Sequence, residues 1–226
     1  MDTGLKSFLQ KIKLKPVRVN SIDEIATSVY VLRFDRNHDF IAGQVLAIST
    51  NIDIPPRLYS ICSGQDEAET AILFSEKPEG LLTPRLADLR KGDDLLVSAP
   101  FGAFLGDDKP AWWIASGTGI APFRSMIRSS LGSKNMLIHG GRTSDSFYFS
   151  EELLPILGNR YVRCCSQENA KGLYNGRLTQ WLKDQQNISS DLMFYLCGSA
   201  EMVVEVRDIL VNKGFSIDQI MSEIYF

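Results

Sequence analysis

The sequence predicts an antiparallel β domain, a barrel or a sandwich, followed by a doubly wound parallel sheet with helices on both faces. Short strand-like segments recur in the first half, with turn-forming clusters between them. In the second half, apolar runs alternate with helical patterns. The chain has 226 residues, of which 44% are hydrophobic, and this is enough for two domains. The predicted domains are 1–107 and 108–226.

The first half has the composition of an antiparallel sheet. Val17–Val19, Val29–Phe34 and Gln44–Ile48 combine apolar and β-branched residues, and an Asp- and Asn-rich cluster at 35–39 separates two of them. No convincing helical pattern lies between these segments, so consecutive strands are expected to pair with each other. The turn-rich stretch Gly106–Pro110 marks the end of this domain.

The second half reads as repeated strand and helix units. Predicted strands at 112–115, 136–139, 161–165, 192–197 and 220–224 alternate with predicted helices at 123–131, 151–157, 178–186 and 202–213. Ligands of such sheets bind at the carboxyl ends of the strands. The candidate site therefore lies at one edge, where the segments that follow the first four strands are Gly117–Pro122, Arg142, Ser166 and Cys197–Gly198.

A glycine turn joins the first of these strands to its helix, in the stretch Ala115–Phe123. The glycines at 117 and 119 let the backbone approach a ligand, and a helix start directs free N–H groups at negative charge. Pro122 suits the first turn of the helix. The turn is thus a candidate phosphate site, although a tight turn without any ligand uses glycine in the same way.

A second candidate site lies in the first domain, at Arg57-x-Tyr59-Ser60. In a strand, Arg57 and Tyr59 share one face and Ser60 takes the other. An arginine can hold a phosphate with two hydrogen bonds, and an aromatic ring can stack on a flat ring system. The alternative is an ordinary strand with a surface arginine and a packed tyrosine.

Composition excludes several classes of protein. A net charge of −3 gives no reason to expect nucleic acid, and no apolar run approaches the length of a membrane span. The four cysteines lack Cys-x-x-Cys spacing, so no metal site is expected. Without a signal-peptide core, the protein is expected to be cytoplasmic. The lysine-rich segment 1–16 is a solvated arm or, alternatively, a docking surface for an acidic partner.

Short motifs are spread along the chain in a characteristic order. They are Phe40-x-x-Gly43-Gln44, Arg57-x-Tyr59-Ser60, Gly80-x-x-Thr83, Pro100-Phe101-Gly102-x-Phe104, Gly117-Thr118-Gly119-Ile120-Ala121-Pro122-Phe123, Gly140-Gly141-Arg142, Tyr195-Leu196-Cys197-Gly198 and Glu223-Ile224-Tyr225-Phe226. In this order and over nearly the whole chain, the sequence resembles the ferredoxin–NADP reductase superfamily. The resemblance implies a flavin-binding antiparallel β-barrel and a nicotinamide-nucleotide domain.

In the barrel, the resemblance implies a site for FAD. Arg57 would hold the pyrophosphate, Tyr59 would pack on the isoalloxazine, and Ser60 would bond near N5, the atom that receives hydride. The turn at 80–83 would also bind the pyrophosphate, which favours FAD over FMN. The implied cofactor-binding residues here are Arg57, Leu58, Tyr59, Ser60, Gly80, Leu81, Leu82 and Thr83.

In the second domain, the resemblance implies that Cys197 lies near the nicotinamide carbon that gives up hydride. Glu223 would be a nearby polar or proton-handling group, and Tyr225 would cover the flavin, with Phe226 one residue further. The implied catalytic residues are Ser60, Cys197, Glu223 and Tyr225. The implied cofactor-binding residues are Gly117, Thr118, Gly119, Pro122, Arg142, Ser166, Tyr174, Arg177, Cys197, Gly198, Tyr225 and Phe226. A core cysteine, a surface carboxylate and a packed C-terminal strand are the structural alternatives.

The choice of coenzyme depends on arginines that could bind the 2′-phosphate of NADPH. Related bacterial reductases have a Ser-Arg pair after the third strand, where this chain has Ser166-Gln167. Arg142 and Arg177 remain, so NADPH is favoured and NADH is the alternative.

The implied activity is hydride transfer between NADPH and the N5 atom of FAD, with single electrons passed to or from a separate ferredoxin or flavodoxin. An NAD(P)H-dependent flavin or cytochrome reductase is an alternative enzyme. A non-catalytic flavin subunit that relays electrons within a larger complex is an alternative from another class.

Overall fold

The computed structural model describes residues 12–107 and 109–225. The chain divides into two compact units between Leu105 and Gly106, close to the boundary predicted at 107/108. Of the lysine-rich arm, residues 1–11 lie outside the described part, and Leu14 already belongs to a strand. Phe226, one of the predicted site residues, also lies outside the described part.

The first unit is a six-stranded antiparallel sheet with strand order β4-β3-β6-β1-β2-β5. Among its described residues, the α-helix is the short α1. The elements are β1 (Leu14–Ala26), β2 (Val29–Asp35), β3 (Val45–Ser49), β4 (Arg57–Ser60), β5 (Glu69–Ser75), α1 (Thr83–Ala87) and β6 (Asp94–Ser98).

The two ends of this sheet order meet, which closes the sheet into a barrel. Just beyond β4, Ile61 pairs with Ile72 of β5, and the Cys62 N–H donates to the Ala71 carbonyl over 2.8 Å. Closure removes the unpaired edges that an open sheet would expose. Alternating residues of the strands, such as Leu32 and Phe34 in β2, fill the interior. The predicted antiparallel β-barrel is confirmed.

The second unit is a six-stranded parallel sheet with helices between its strands. Its strand order is β10-β9-β8-β7-β11-β12. The elements are β7 (Ala111–Ser116), α2 (Ala121–Arg128), β8 (Met136–Gly141), α3 (Ser150–Leu157), β9 (Tyr161–Cys165), β10 (Tyr174–Asn175), α4 (Leu178–Asp184), β11 (Met193–Ser199), α5 (Ala200–Asn212) and β12 (Ile220–Tyr225).

The central strands are apolar along their whole length because helices cover both faces of the sheet. Trp113, Ile114 and Ala115 of β7 are all buried, and so is every residue of α2 from Ala121 to Ile127. The predicted doubly wound sheet is therefore confirmed. One boundary differs, since β11 continues beyond the predicted end at Cys197 and includes Gly198 and Ser199.

The order in which strands are added to the sheet reverses between β7 and β11. From β7 the chain proceeds to β8 and β9 on one side and then crosses to β11 and β12 on the other. Such a reversal leaves a crevice at the carboxyl ends of the two strands, and open α/β sheets bind their ligands there. The glycine turn that follows β7 lies at this point.

Candidate functional site

The glycine turn is a short 3-10 helix at Gly117–Ile120 that leads directly into α2. Gly117 has a φ of 54°, and a Cβ built on it would meet nothing within 4 Å. Glycine adopts this left-handed conformation without the penalty that other residues incur. Gly117 is therefore the point where the turn leaves its backbone open to a ligand. Pro122 occupies the first turn of α2, as predicted.

Gly119 packs closely against the neighbouring strand. A Cβ on Gly119 would lie 2.2 Å from the carbonyl oxygen of Cys197, so the missing side chain makes room for the protein's own backbone. Gly198 is similar, since a Cβ there would lie 2.2 Å from the Ser116 hydroxyl oxygen. That hydroxyl also accepts a hydrogen bond from the Ser199 N–H over 3.2 Å. The glycine turn is thus packed tightly onto the end of β11.

A buried histidine supports the turn from the neighbouring strand. His139 of β8 is fully buried, with Nε2 3.3 Å from the Gly117 carbonyl oxygen and Nδ1 3.0 Å from the Tyr161 hydroxyl. Burial lowers the pKa of His139 to about 4. The ring is therefore neutral at pH 7, and the contacts fit the tautomer in which Nε2–H donates to Gly117 and Nδ1 accepts from Tyr161.

Sequence reasoning missed His139. Its position at the end of a predicted strand was visible, but one histidine in an apolar run gives no signal of its partners.

Three of the predicted catalytic residues meet at the ends of β11 and β12. Cys197 lies directly opposite Glu223 in the parallel pairing of these strands, and Tyr225 is two residues further along β12, on the same face as Glu223. Burial raises the pKa of the Cys197 thiol well above its usual value and the nearby Glu223 carboxylate raises it further, whereas a hydrogen bond from Tyr225 acts in the opposite direction. Cys197 is therefore a neutral thiol at physiological pH.

The residues predicted for the adenosine end lie around the loops after β8 and β9. Arg142 is exposed immediately after β8, and Ser166 follows β9, where its hydroxyl donates to the Gly141 carbonyl over 3.3 Å. Arg177, also exposed, lies 3.7 Å from Glu201. Tyr174 donates its hydroxyl to Asp184 over 3.2 Å. Arg142, Ser166 and Tyr174 thus lie near one edge of the sheet, with Arg177 at the start of α4.

In the barrel unit, the predicted flavin residues lie on β4, which pairs with β3. Arg57 is exposed and Tyr59 is half-buried, with its ring 6.3 Å from that of Phe74 in an edge-on contact. Burial raises the pKa of Tyr59, so its hydroxyl stays protonated. Ser60 is buried, and Leu58 between Arg57 and Tyr59 is half-buried. Arg57 and Tyr59 share one face of the strand, as the alternation predicted.

The turn at 80–83 uses part of its hydrogen-bonding capacity internally. The Gly80 N–H donates to the Lys77 carbonyl over 2.7 Å. The Thr83 hydroxyl accepts from the Lys77 N–H over 2.8 Å and donates to the Lys77 carbonyl over 3.3 Å. The Thr83 hydroxyl has a single proton, so donation to a phosphate would require it to turn away from the Lys77 carbonyl. Leu81 is 69% exposed at the tip of the turn, whereas Leu82 is buried.

Within the described residues, no group of His, Cys, Asp or Glu side chains is arranged to hold a metal ion. The helices in the same part of the chain are all too short or too polar to cross a membrane.

Comparison with known proteins identifies the family. Residues 113–208 match the model of the oxidoreductase NAD-binding domain. The flavodoxin/ferredoxin–NADP reductase of Escherichia coli K12 is 30% identical over 198 residues, which are 74% of this chain and 77% of that protein. The toluate 1,2-dioxygenase electron transfer component of Pseudomonas putida is 27% identical over 186 residues, or 77% of this chain and 55% of the relative.

A solved structure shows the same fold. It is that of a ferredoxin NADP⁺ reductase from Neisseria gonorrhoeae with bound FAD and NADP, which aligns with a TM-score of 0.86 and 21% identity over 96% of this chain and 100% of that one. Its likeness extends over both units of the fold. The sequence relatives establish that this chain is an oxidoreductase that belongs to the ferredoxin–NADP reductase family.

Proposed function

We propose that this protein transfers hydride between NADPH and the N5 atom of FAD and exchanges single electrons with a separate ferredoxin or flavodoxin. The observation that carries the proposal is the point in the parallel sheet, between β7 and β11, where the strand order reverses. The open turn at Gly117 follows β7, the buried Cys197 lies near the carboxyl end of β11, and the polar pair of Glu223 and Tyr225 lies on the neighbouring strand β12.

The residues of the α/β unit fit a nicotinamide dinucleotide. The open backbone at Gly117 suits close approach of a diphosphate. Cys197, as a small neutral side chain, would pack beside the nicotinamide without placing a charge there. Glu223 would hold the carboxamide or a proton there. Arg142, Ser166, Tyr174 and Arg177 would bind the adenosine end, with the arginines paired to phosphate.

The residues of the barrel unit fit the flavin. Arg57 is exposed and presents a guanidinium that can bind a pyrophosphate with two parallel hydrogen bonds. Tyr59 offers a ring on the same face, and Ser60 ends the strand. Because the Thr83 hydroxyl and the Gly80 N–H are bonded to Lys77, the turn at 80–83 would contribute its remaining N–H groups to the pyrophosphate.

When bound, a flavin accepts a hydride and releases single electrons, which a nicotinamide alone cannot do. The chain's part is to hold the two cofactors, orient them and exclude water. The assignment of Tyr225, with Phe226, as the group that covers the flavin remains a prediction. We also propose a cytoplasmic location, because the four cysteines are buried and none of them forms a disulfide, as is usual in a reducing compartment.

An electron-relay subunit and a direct flavin or cytochrome reductase are the two alternatives, and one assay of NADPH oxidation tests both. The relative from Pseudomonas putida is an electron transfer component, which favours a subunit that relays electrons to an oxygenase. A direct flavin or cytochrome reductase would need no protein carrier. The FAD-loaded protein should be assayed with NADPH and, in separate reactions, with four electron acceptors: purified ferredoxin, purified flavodoxin, free FMN and cytochrome c.

Carrier-dependent oxidation of NADPH supports the proposal. Equal rates with free FMN or cytochrome c alone would favour the direct reductase. Stoichiometric FAD with no oxidation of NADPH or NADH by any acceptor would contradict catalysis and favour the relay subunit.

A further inference from the structure

The loops that follow β8 and β9 are tied together at the carboxyl edge of the sheet. The Ser166 N–H donates to the Gly141 carbonyl over 3.0 Å, and the Gln167 N–H donates to the Arg142 carbonyl over 2.9 Å. The family resemblance leads to the expectation of an arginine where this chain has Gln167. The backbone of Gln167 is therefore hydrogen-bonded to Arg142, the residue whose guanidinium would bind the 2′-phosphate.

Glu168, the residue after Gln167, brings a negative charge to the same two loops. One carboxylate oxygen of Glu168 accepts a hydrogen bond from the Ser144 N–H over 2.7 Å. Ser144 begins the 3-10 turn Ser144–Ser146, two residues after Arg142. The hydrogen bonds from the backbone and the hydroxyl of Ser144 lower the pKa of Glu168. The carboxylate is thus ionised at neutral pH and is held between the two loops.

A fixed carboxylate acts oppositely on the two coenzymes. The 2′-phosphate of NADPH carries between one and two negative charges at pH 7 and is repelled by it, whereas the 2′-hydroxyl of NADH can donate a hydrogen bond to it. The Ser144 N–H is a donor that an incoming phosphate would otherwise find free, and Glu168 already occupies it. On the other side, Arg177 has Glu201 within 3.7 Å.

We propose that Glu168 is a specificity-determining residue, which reduces the preference for NADPH over NADH by placing a fixed negative charge beside Arg142 at the ribose of the bound nucleotide. The inference rests on the proposed function, because it assumes that the nucleotide binds at this edge.

The test uses fragments that contain the adenosine end alone. Binding of adenosine 2′,5′-bisphosphate and of 5′-AMP to the FAD-loaded protein is measured by titration calorimetry. Glu168→Gln keeps an oxygen that can accept from Ser144 but removes the charge. Adenosine 2′,5′-bisphosphate should bind this variant about 3- to 10-fold more tightly than it binds the natural protein, and the affinity for 5′-AMP should change by less than about 2-fold. The gain should shrink as salt is raised, because ions screen the repulsion.

Asp145→Asn is the matched control, because it removes the same charge from the turn that Ser144 begins. An effect confined to Glu168→Gln supports the inference. An unchanged ratio of the two affinities, or an equal gain in Asp145→Asn, overturns it. If both fragments bind and NADPH reduces the flavin, the proposed function survives that result. If neither fragment binds and neither coenzyme reduces the flavin, the inference fails together with the proposed function.

Discussion

In the α/β unit, the candidate residues are positioned by backbone packed against backbone. Gly119 lies against the Cys197 carbonyl, Gly198 lies against Ser116, and His139 contacts the carbonyl of Gly117. In the barrel unit, the exposed candidates Arg57 and Leu81 project from a strand and from a turn. The glycine motifs of the first group are therefore requirements of the fold itself. The exposed barrel residues have a smaller structural role, so substitution there should separate binding from stability.

The largest effect should come from Gly119→Ala. The new Cβ would lie 2.2 Å from a backbone oxygen, which cannot shift as easily as the end of a flexible side chain. The free energy of unfolding, measured with urea, should fall by about 3 kcal/mol or more. Gly117→Ala is the matched control, because its Cβ meets open space and the cost is that of a left-handed residue, about 1 kcal/mol. Equal losses in the two variants would break the distinction between packing glycines and open ones.

The buried histidine predicts a pH dependence for the α/β unit. Since the pKa of His139 is about 4 in the folded chain and near 6.5 when exposed, the unfolded state binds the proton first as the pH falls. Stability is therefore retained above pH 6.5 and lost between pH 6.5 and 4, by about 1.4 kcal/mol per pH unit, or about 3 kcal/mol in all.

His139→Gln should flatten this part of the profile of unfolding free energy against pH, relative to the natural protein. His38→Gln, in the barrel unit, is the control and should leave the slope in place. A slope that persists in His139→Gln would show that other groups cause it.

Arg57→Ala tests the barrel unit. Loss of its charge-assisted hydrogen bonds, worth about 2 kcal/mol, should weaken FAD binding about 10- to 100-fold, as measured by fluorescence titration of the apoprotein. The free energy of unfolding of that apoprotein should change by less than about 0.5 kcal/mol, because Arg57 is exposed. Arg18→Ala, another exposed strand arginine of the barrel, should leave FAD affinity unchanged. An equal loss of affinity in both variants would reduce the Arg57 effect to general electrostatics.

The smallest effect is expected at the adenosine end. Arg142→Ala should raise the KM for NADPH about 5- to 10-fold and change the KM for NADH little, because only NADPH has a 2′-phosphate for the guanidinium to bind. Steady-state kinetics with both coenzymes measures this ratio, and Arg207→Ala on α5 is the control. Equal changes for NADPH and NADH would remove Arg142 from phosphate recognition.

The sequence predicted the strand and helix alternation because each element repeats one pattern of burial. It also predicted that the candidate residues lie at one edge of the sheet, since parallel strands end on the same side. The Gly119 contact with Cys197 was beyond its reach, as was the closure of the barrel through Ile61 and Ile72. Gly119 and Cys197 are distant along the chain, and neither local pattern indicates the other. Ile61 and Ile72 are closer in the sequence, but the alternation of residue types does not show which strands pair.

Polar contacts between loops were equally hidden. The Glu168 carboxylate is an ordinary surface residue in the sequence, and only the pairing of β8 with β9 brings it to Ser144. The same holds for His139 and Tyr161, which lie 22 residues apart. Hydrogen bonds of this kind depend on distances of tenths of an ångström, which the spacing of residue types cannot predict.

The most direct test of the account is anaerobic stopped-flow mixing of the FAD-loaded protein with NADPH, followed at the visible absorbance of the flavin, with NADH in parallel. The account predicts rapid bleaching without any carrier, and a lower rate in a Cys197→Ala variant that still binds FAD. Bleaching that occurs only when a second protein is added, or no bleaching with either coenzyme, would contradict hydride transfer by this chain.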